Sequence, residues 1–196
     1  LVFFTTVIQH KEPSIFVELK YSSTDNFMNT DVYGDLEDCY LRKLPAKMLV
    51  KANTFLKETH PRLRLLVYDG LRPRHIQWKL WNTIDHIPES ERTQFVADPR
   101  SGSIHNFGAA VDLTLADSSG SPLDMGTKYD FFGELAFPAL EDSLLEIGEL
   151  TSQQVTNRQI LRNVMKTAGF SPITTEWWHF DAFPYQVTKS KYAIVE

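Results

Sequence analysis

A chain of 196 residues that is 42% hydrophobic and 23% charged has the make-up of an ordinary folded protein, with one domain as the default. Its net charge of -5 and its lack of a long Lys/Arg run exclude a phosphate-binding face for nucleic acid. The single cysteine, Cys39, excludes an internal disulfide framework and a cysteine-rich zinc site, and reads as a small buried hydrophobe.

In chain order, the opening LVFFTTVI is apolar but short and lacks a basic leader, so it reads as a strand and not as an intact signal peptide. The chain does not begin with Met, which implies a removed tag or signal segment and leaves the compartment, cytoplasmic or periplasmic, open. Residues 20–34, rich in Ser, Thr, Asn and Asp, predict a long loop. Residues 45–59 predict a helix, with Pro45 in its first turn and Met48, Leu49, Ala52, Phe55 and Leu56 at helical spacing. RLRLLVYD after Pro61 predicts a strand, and Pro73 opens a second helix with Ile76, Leu80 and Ile84 on one stripe. Residues 110–115 predict a strand, and DSSGSPLDMGTKYD after it a loop. Thr151 and Gln154 fit a capping box for a helix that runs through Met165 and stops at Gly169. TEWWHFDAF predicts a last strand. Strands and helices mix without strict alternation. The expected fold is therefore α+β, one domain over residues 1–196, with a central, mainly antiparallel sheet flanked by helices. No run approaches the roughly 18 apolar residues of a membrane span.

Four of the six histidines carry no chemical signal: His10, His60 and His86 lack a ligand-like partner, and His75 sits beside Arg72 and Arg74. His105 and His179 differ, because each lies near a carboxylate and near glycine or aromatic residues. Val111, Leu113 and Leu115 alternate with Asp112 and Thr114, the period of a half-buried strand. Asp112 thus points away from the apolar side, where a carboxylate is costly unless something positive sits beside it. His105 can reach Asp112 only if a loop intervenes, and Gly108, Ala109 and Ala110 supply one. Glu176 and His179, three apart, would point to opposite faces of a regular strand, so one site for both requires a turn. Two imidazoles and one carboxylate form a three-ligand set for catalytic zinc, with Glu176 left to take a proton from the fourth ligand, water. On spacing alone, His and Asp that merely pack near strands give the same pattern. An iron(II) oxygenase uses the same ligand types, but with His and Asp two apart on a jelly roll; here the gap is seven.

SIHNFGAAVDLTL followed by EWWHF resembles the Ser-x-His-x-x-Gly-x-Ala-x-Asp and Glu-x-x-His signatures of the D-Ala-D-Ala dipeptidases. These form the VanX-like branch of the zinc peptidases related to D,D-carboxypeptidases and hedgehog domains. The matching positions are Ser103, His105, Gly108, Ala110 and Asp112, then Glu176 and His179. VYDGLRP (67–73) is similar to the family's Tyr-Asp-x-Tyr-Arg-Pro segment, with Leu71 where an aromatic is usual. DNFMNTDVYG is similar to its Asn-Phe-rich loop, and MGTKYDFF (125–132) to its Met-Gly-x-x-Phe-Asp segment. The resemblance runs from about residue 18 to residue 181.

It implies a hedgehog/D,D-peptidase-like fold. It also implies one zinc ion on His105, Asp112 and His179, Glu176 as general base and acid, and Arg72 as the donor that steadies a tetrahedral oxyanion. The implied reaction is hydrolysis of D-Ala-D-Ala to two D-alanines, which removes or recycles a peptidoglycan precursor. The expected partner is that small dipeptide, with no nucleic acid, membrane or protein partner. Asp130 is the candidate for the substrate ammonium, Ser103 for a substrate hydrogen bond, and Trp177 and Trp178 for the wall of a tight cavity. The nearest alternative is a D,D-carboxypeptidase acting on longer wall peptides. A zinc module without catalysis needs neither Glu176 nor Arg72.

Overall fold

The computed structural model of the protein describes residues 5–196. The strands are β1 (Thr5–Val7), β2 (Phe16–Val17), β3 (Tyr40–Arg42), β4 (Arg64–Asp69), β5 (Ala110–Ala116), β6 (Ser171–Pro172) and β7 (His179–Asp181). The helices are α1 (Ile8–Lys11), α2 (Lys43–Thr59), α3 (Arg74–Thr83), α4 (Glu89–Arg92), α5 (Glu141–Glu146), α6 (Ser152–Ala168) and α7 (Tyr185–Lys191). β1 and β3 form a small antiparallel pair. The main sheet has the order β2-β4-β5-β7-β6; only β2 runs parallel to its neighbour, so the sheet is mainly antiparallel. This is the α+β architecture that the mixed element pattern indicates.

Cross-strand register sorts the side chains onto two faces. Leu65 opposes Leu115, Val67 opposes Leu113, and Val111 opposes Phe180. All six join the apolar core with Leu49 and Leu56 of α2 and Leu161, Val164 and Met165 of α6, and the two helices pack on each other as well as on the sheet. α6 begins with a complete capping box. The Thr151 hydroxyl accepts from the Gln154 N–H at 3.2 Å, and Gln154 Oε1 accepts from the Thr151 N–H at 2.8 Å. Gly169, at φ +102°, ends the helix in the left-handed conformation.

The other face carries Leu66, Tyr68, Asp112, Thr114 and His179, with Leu66 opposite Thr114 and Asp112 opposite His179. A β-bulge interrupts β4: Val67 pairs with Leu113, but Asp69, not Tyr68, pairs with Asp112. One extra residue thus aligns Asp69, Asp112 and His179 across three adjacent strands.

Three expectations are corrected. Every residue of β5 is buried, so its alternation separates two covered faces and the strand is not half-buried. The last strand is only His179–Asp181, because β6 pairs antiparallel with β7 and residues 173–178 must reverse the chain between them. The first strand is Thr5–Val7: Ile8 already starts a helical turn, and Leu1–Phe4 lie outside the described residues. Cys39 is buried, as its reading required, and burial pushes its thiol well above the ordinary range.

Candidate active site

Four segments deliver the candidate residues to one place. His105 rides on a short 3-10 turn, Ile104–Phe107. Ser103 caps it by accepting the His105 N–H at 3.3 Å, Asn106 Oδ1 returns the bond to the Ser103 N–H at 2.7 Å, and Gly108 closes it at φ +69°. Asp112 comes from β5 and His179 from the facing register position on β7. The turn between β6 and β7 swings Glu176 to the same side, with Oε2 3.9 Å from His179 Nδ1. The backbone turns that both His–carboxylate spacings demand are therefore present.

His105 Nε2, Asp112 Oδ1 and His179 Nδ1 form a tight triangle with edges of 3.2, 2.9 and 3.2 Å. Among the described residues, these three are the group whose ligand atoms converge closely enough to hold a metal ion. A tetrahedral zinc with bonds of about 2.0–2.2 Å sets its ligand atoms roughly 3.3–3.6 Å apart, so the triangle needs only slight expansion.

The outer atoms complete the fit. His105 Nδ1 donates to the Gly70 carbonyl at 2.7 Å, and His179 Nε2 donates to Asp181 Oδ1 at 2.8 Å. Both partners only accept, which leaves the lone pairs of Nε2 and Nδ1 pointing at each other and at a carboxylate oxygen. Such a donor set needs a cation or a proton between its atoms. Burial alone would raise the Asp112 carboxyl, but the two imidazoles outweigh it and hold Asp112 well below the usual carboxylate range. Burial likewise opposes charge on His179, but Asp181 and Asp112 drive its pKa well above the ordinary value. Gly70 must be glycine: a Cβ there would lie 2.7 Å from Cys39 Sγ and 2.9 Å from the Tyr40 carbonyl oxygen.

Arg72 is buried at 7% exposure, although it directly precedes Pro73 and the start of α3. Its Nε and Nη2 hold Asp69 Oδ2 at 2.9 and 2.7 Å, and its Nη1 holds Gln77 Oε1 at 3.0 Å. Asp69 is further clamped by the Tyr33 hydroxyl at 2.6 Å. Burial disfavours the charge on Arg72, but Asp69 outweighs it and keeps the guanidinium ionised. One N–H on each terminal nitrogen remains beyond these bonds, and Arg72 lines the cavity beside the His–Asp–His group.

That cavity holds about 300 Å³, the small end of ligand pockets, and Ser103, Asp130, Glu176 and Trp178 also line it. Glu176 is raised above the usual carboxylate range by burial, reinforced by Asp112. Asp130 is raised further, by burial and then by Asp112 and Glu176 acting against Arg72. It accepts the Tyr21 hydroxyl at 2.9 Å and sits at φ +58°, a conformation non-glycine residues adopt at a cost of roughly 1–2 kcal/mol. The loop that carries it is held by α6: Asn157 Nδ2 donates to the Asp124 carbonyl, and Arg158 donates through Nε to that of Met125 and through Nη2 to that of Leu135. Trp177 does not line this cavity; its indole N–H bonds Thr127 Oγ1 at 2.7 Å.

Sequence reasoning assigns no role to Tyr21, Asp69, Tyr129 or Asp181. Asp181 does carry a signal, since it follows His179 by two on a strand and so shares its face. Asp69 stands inside the VYDGLRP segment, but only the bulge turns it toward Asp112. Nothing local marks Tyr21, which arrives from a loop 109 residues distant from Asp130.

A His–Asp–His triangle with His105 and Asp112 buried and His179 half-buried, a nearby carboxylate with a raised pKa and a fixed guanidinium on one small cavity define the class of metal-dependent hydrolases. The sequence profile of the Peptidase M15 family, described as D-ala-D-ala dipeptidase, matches residues 4–194, and the chain belongs to that family. It is 34% identical over 169 residues to the D-alanyl-D-alanine dipeptidase of Escherichia coli K12, covering 86% of this chain and 79% of that protein. It is 29% identical over 177 residues to the Enterococcus faecium enzyme of the same name, covering 83% of each. A solved VanY D,D-pentapeptidase in complex with Zn(II) superposes with a TM-score of 0.46 at 15% identity, over 80% of this chain and 79% of that one.

Proposed function

We infer that residues 1–196 act as one zinc dipeptidase domain that hydrolyses D-alanyl-D-alanine to two D-alanines, with one zinc ion held by His105, Asp112 and His179. The observation that carries this reading is the triangle of ligand atoms, each with its outer atom tied to the protein, beside a carboxylate outside the set, in a chain of the dipeptidase family. When bound, zinc polarises a scissile carbonyl and lowers the pKa of a water toward about 7.

The chain's own residues supply the rest. Glu176, with its raised pKa, accepts a proton from the attacking water and returns it to the leaving amine. The free N–H groups of Arg72 donate to the oxygen on which negative charge develops, and its clamp on Asp69 fixes them before the reaction starts. Asp130, steadied by Tyr21, pairs with the free ammonium of the substrate, whose charge offsets the cost of the half-buried carboxylate. Ser103 offers its hydroxyl from the cavity wall, and Trp178 closes one side. No helix among the described residues is long and apolar enough to cross a membrane.

The test is a comparison of free D-Ala-D-Ala with a pentapeptide ending in it, on zinc-loaded protein. The expected result is preference for the dipeptide, because the ammonium site lies where a longer peptide would continue. Preference for the pentapeptide would reassign the chain as a D,D-carboxypeptidase.

A further inference from the structure

The three candidate ligands are not tied down alike. His105 is fixed by the backbone carbonyl of Gly70, the residue just past β4, and His179 by the carboxylate of Asp181 on its own strand. Asp112 is fixed from outside the sheet: its Oδ2 accepts the Tyr129 hydroxyl at 2.9 Å, while the nearest cation on that oxygen, Arg72 Nη2, is 3.7 Å away. The Tyr129 ring is itself packed edge-on against Trp178 at 5.5 Å, tilted against Tyr68 at 5.4 Å and edge-on against Tyr21 at 6.1 Å. Three aromatic neighbours leave the ring little freedom, so the hydroxyl is aimed before any ligand arrives. Tyr129 occupies the phenylalanine position of the Met-Gly-x-x-Phe-Asp segment, so this hydroxyl is a departure of this chain from that pattern.

A carboxylate can offer a cation one oxygen or two, and it rotates between those modes unless the second oxygen is held. Here Oδ1 faces the two imidazole nitrogens and Oδ2 faces the phenol. We propose that Tyr129 is a positioning residue of the metal centre: its hydroxyl holds the outer oxygen of Asp112, so that the carboxylate presents Oδ1 alone to the ion and binds it more tightly. The inference rests on the zinc reading above. Loss of an outer partner of a metal ligand typically weakens metal binding by about 10–100-fold.

The experiment compares wild type, Tyr129→Phe and Tyr68→Phe. Zinc affinity is read by competition with a chromophoric chelator, ligand geometry by the visible spectrum of the cobalt(II) form, and folding by the thermal midpoint of the metal-free protein. Tyr129→Phe is expected to bind zinc about 10–100-fold more weakly and to shift the cobalt bands, with little change in the metal-free midpoint. Tyr68→Phe, which removes a hydroxyl that makes no hydrogen bond to Asp112 from a ring packed on Tyr129, is expected to keep wild-type affinity. Wild-type affinity and an unchanged cobalt spectrum in Tyr129→Phe would overturn the proposal. So would equal losses in both variants, which would make the effect one of removing any hydroxyl from this aromatic cluster. A wild-type protein that takes up no zinc would instead overturn the metal reading itself, and its titration reports this before any variant is compared.

Discussion

On the side of the sheet that meets α2 and α6, Leu65, Val67, Val111, Leu113, Leu115 and Phe180 interlock with helix side chains and carry no polar atom. On the opposite side, Asp69, Asp112 and His179 stand in a row, covered by loops that bring Tyr33, Arg72, Tyr129 and His105 to them. The first face is held by non-directional burial and tolerates substitutions of similar volume. The second is held by short hydrogen bonds between buried charges, where loss of one partner strands another. Stability should therefore be concentrated on one face and activity on the other, and substitutions can separate them.

The sharpest separation is removal of metal. Dialysis against a strong chelator should abolish turnover while the apolar face keeps the fold, so far-UV circular dichroism should stay native; collapse of the spectrum would show that the ion supports both faces. Next comes Glu176→Gln, which should retain zinc by elemental analysis and lower kcat by about 10²–10⁴. Loss of zinc instead would reassign Glu176 as a ligand. Arg72→Lys should lower kcat by roughly 10²–10³, the scale of about 2.7–4 kcal/mol for a lost oxyanion donor. Arg72→Ala should in addition lower the thermal midpoint, since it leaves Asp69 buried without its partner. Leu113→Ala, on the helix side, should cost about 2–5 kcal/mol by denaturant unfolding and leave KM unchanged at a temperature where the protein stays folded. Thr151→Ala, far from the cavity, should cost only about 1 kcal/mol through the lost cap.

The difference between the faces also decides how much of the molecule is legible in its sequence. Helix periodicity and the Thr151–Gln154 box are local signals, and they place α2 and α6 to within two residues of their ends. The apolar alternation of β5 is equally visible, although nothing in it tells that loops bury the second face too. His105, Asp112, Glu176 and His179 stand out through the similarity of their segments to the dipeptidase signatures, since spacing alone does not separate them from residues that merely pack near strands. Their convergence, however, needs the β5–β7 register, which no local signal encodes. Tyr21, Tyr33 and Tyr129 are silent for the same reason, since each acts by a hydroxyl that only the folded loops aim. Arg72 is marked only by the similarity of its segment to the family pattern, since a cation at a helix start is usually solvated; its burial depends on Asp69, which the bulge turns toward it.

That bulge limits how the enzyme can change. It lets two successive residues serve one face: Tyr68 packs on Tyr129, and Asp69 anchors Arg72. In an unbroken ladder Tyr68 would oppose Asp112 and Asp69 would oppose Val111, on the helix side. A regular strand could therefore offer the platform or the anchor, but not both. Deleting the codon for Tyr68 would leave Asp69 in its row and strip the support from the Tyr129 ring, whereas one inserted codon would turn Asp69 away from its row. The count from residue 67 to residue 72 behaves as a fixed ruler. Along a lineage, frame-preserving gains and losses should be purged from this short stretch more strictly than many substitutions in the pocket itself.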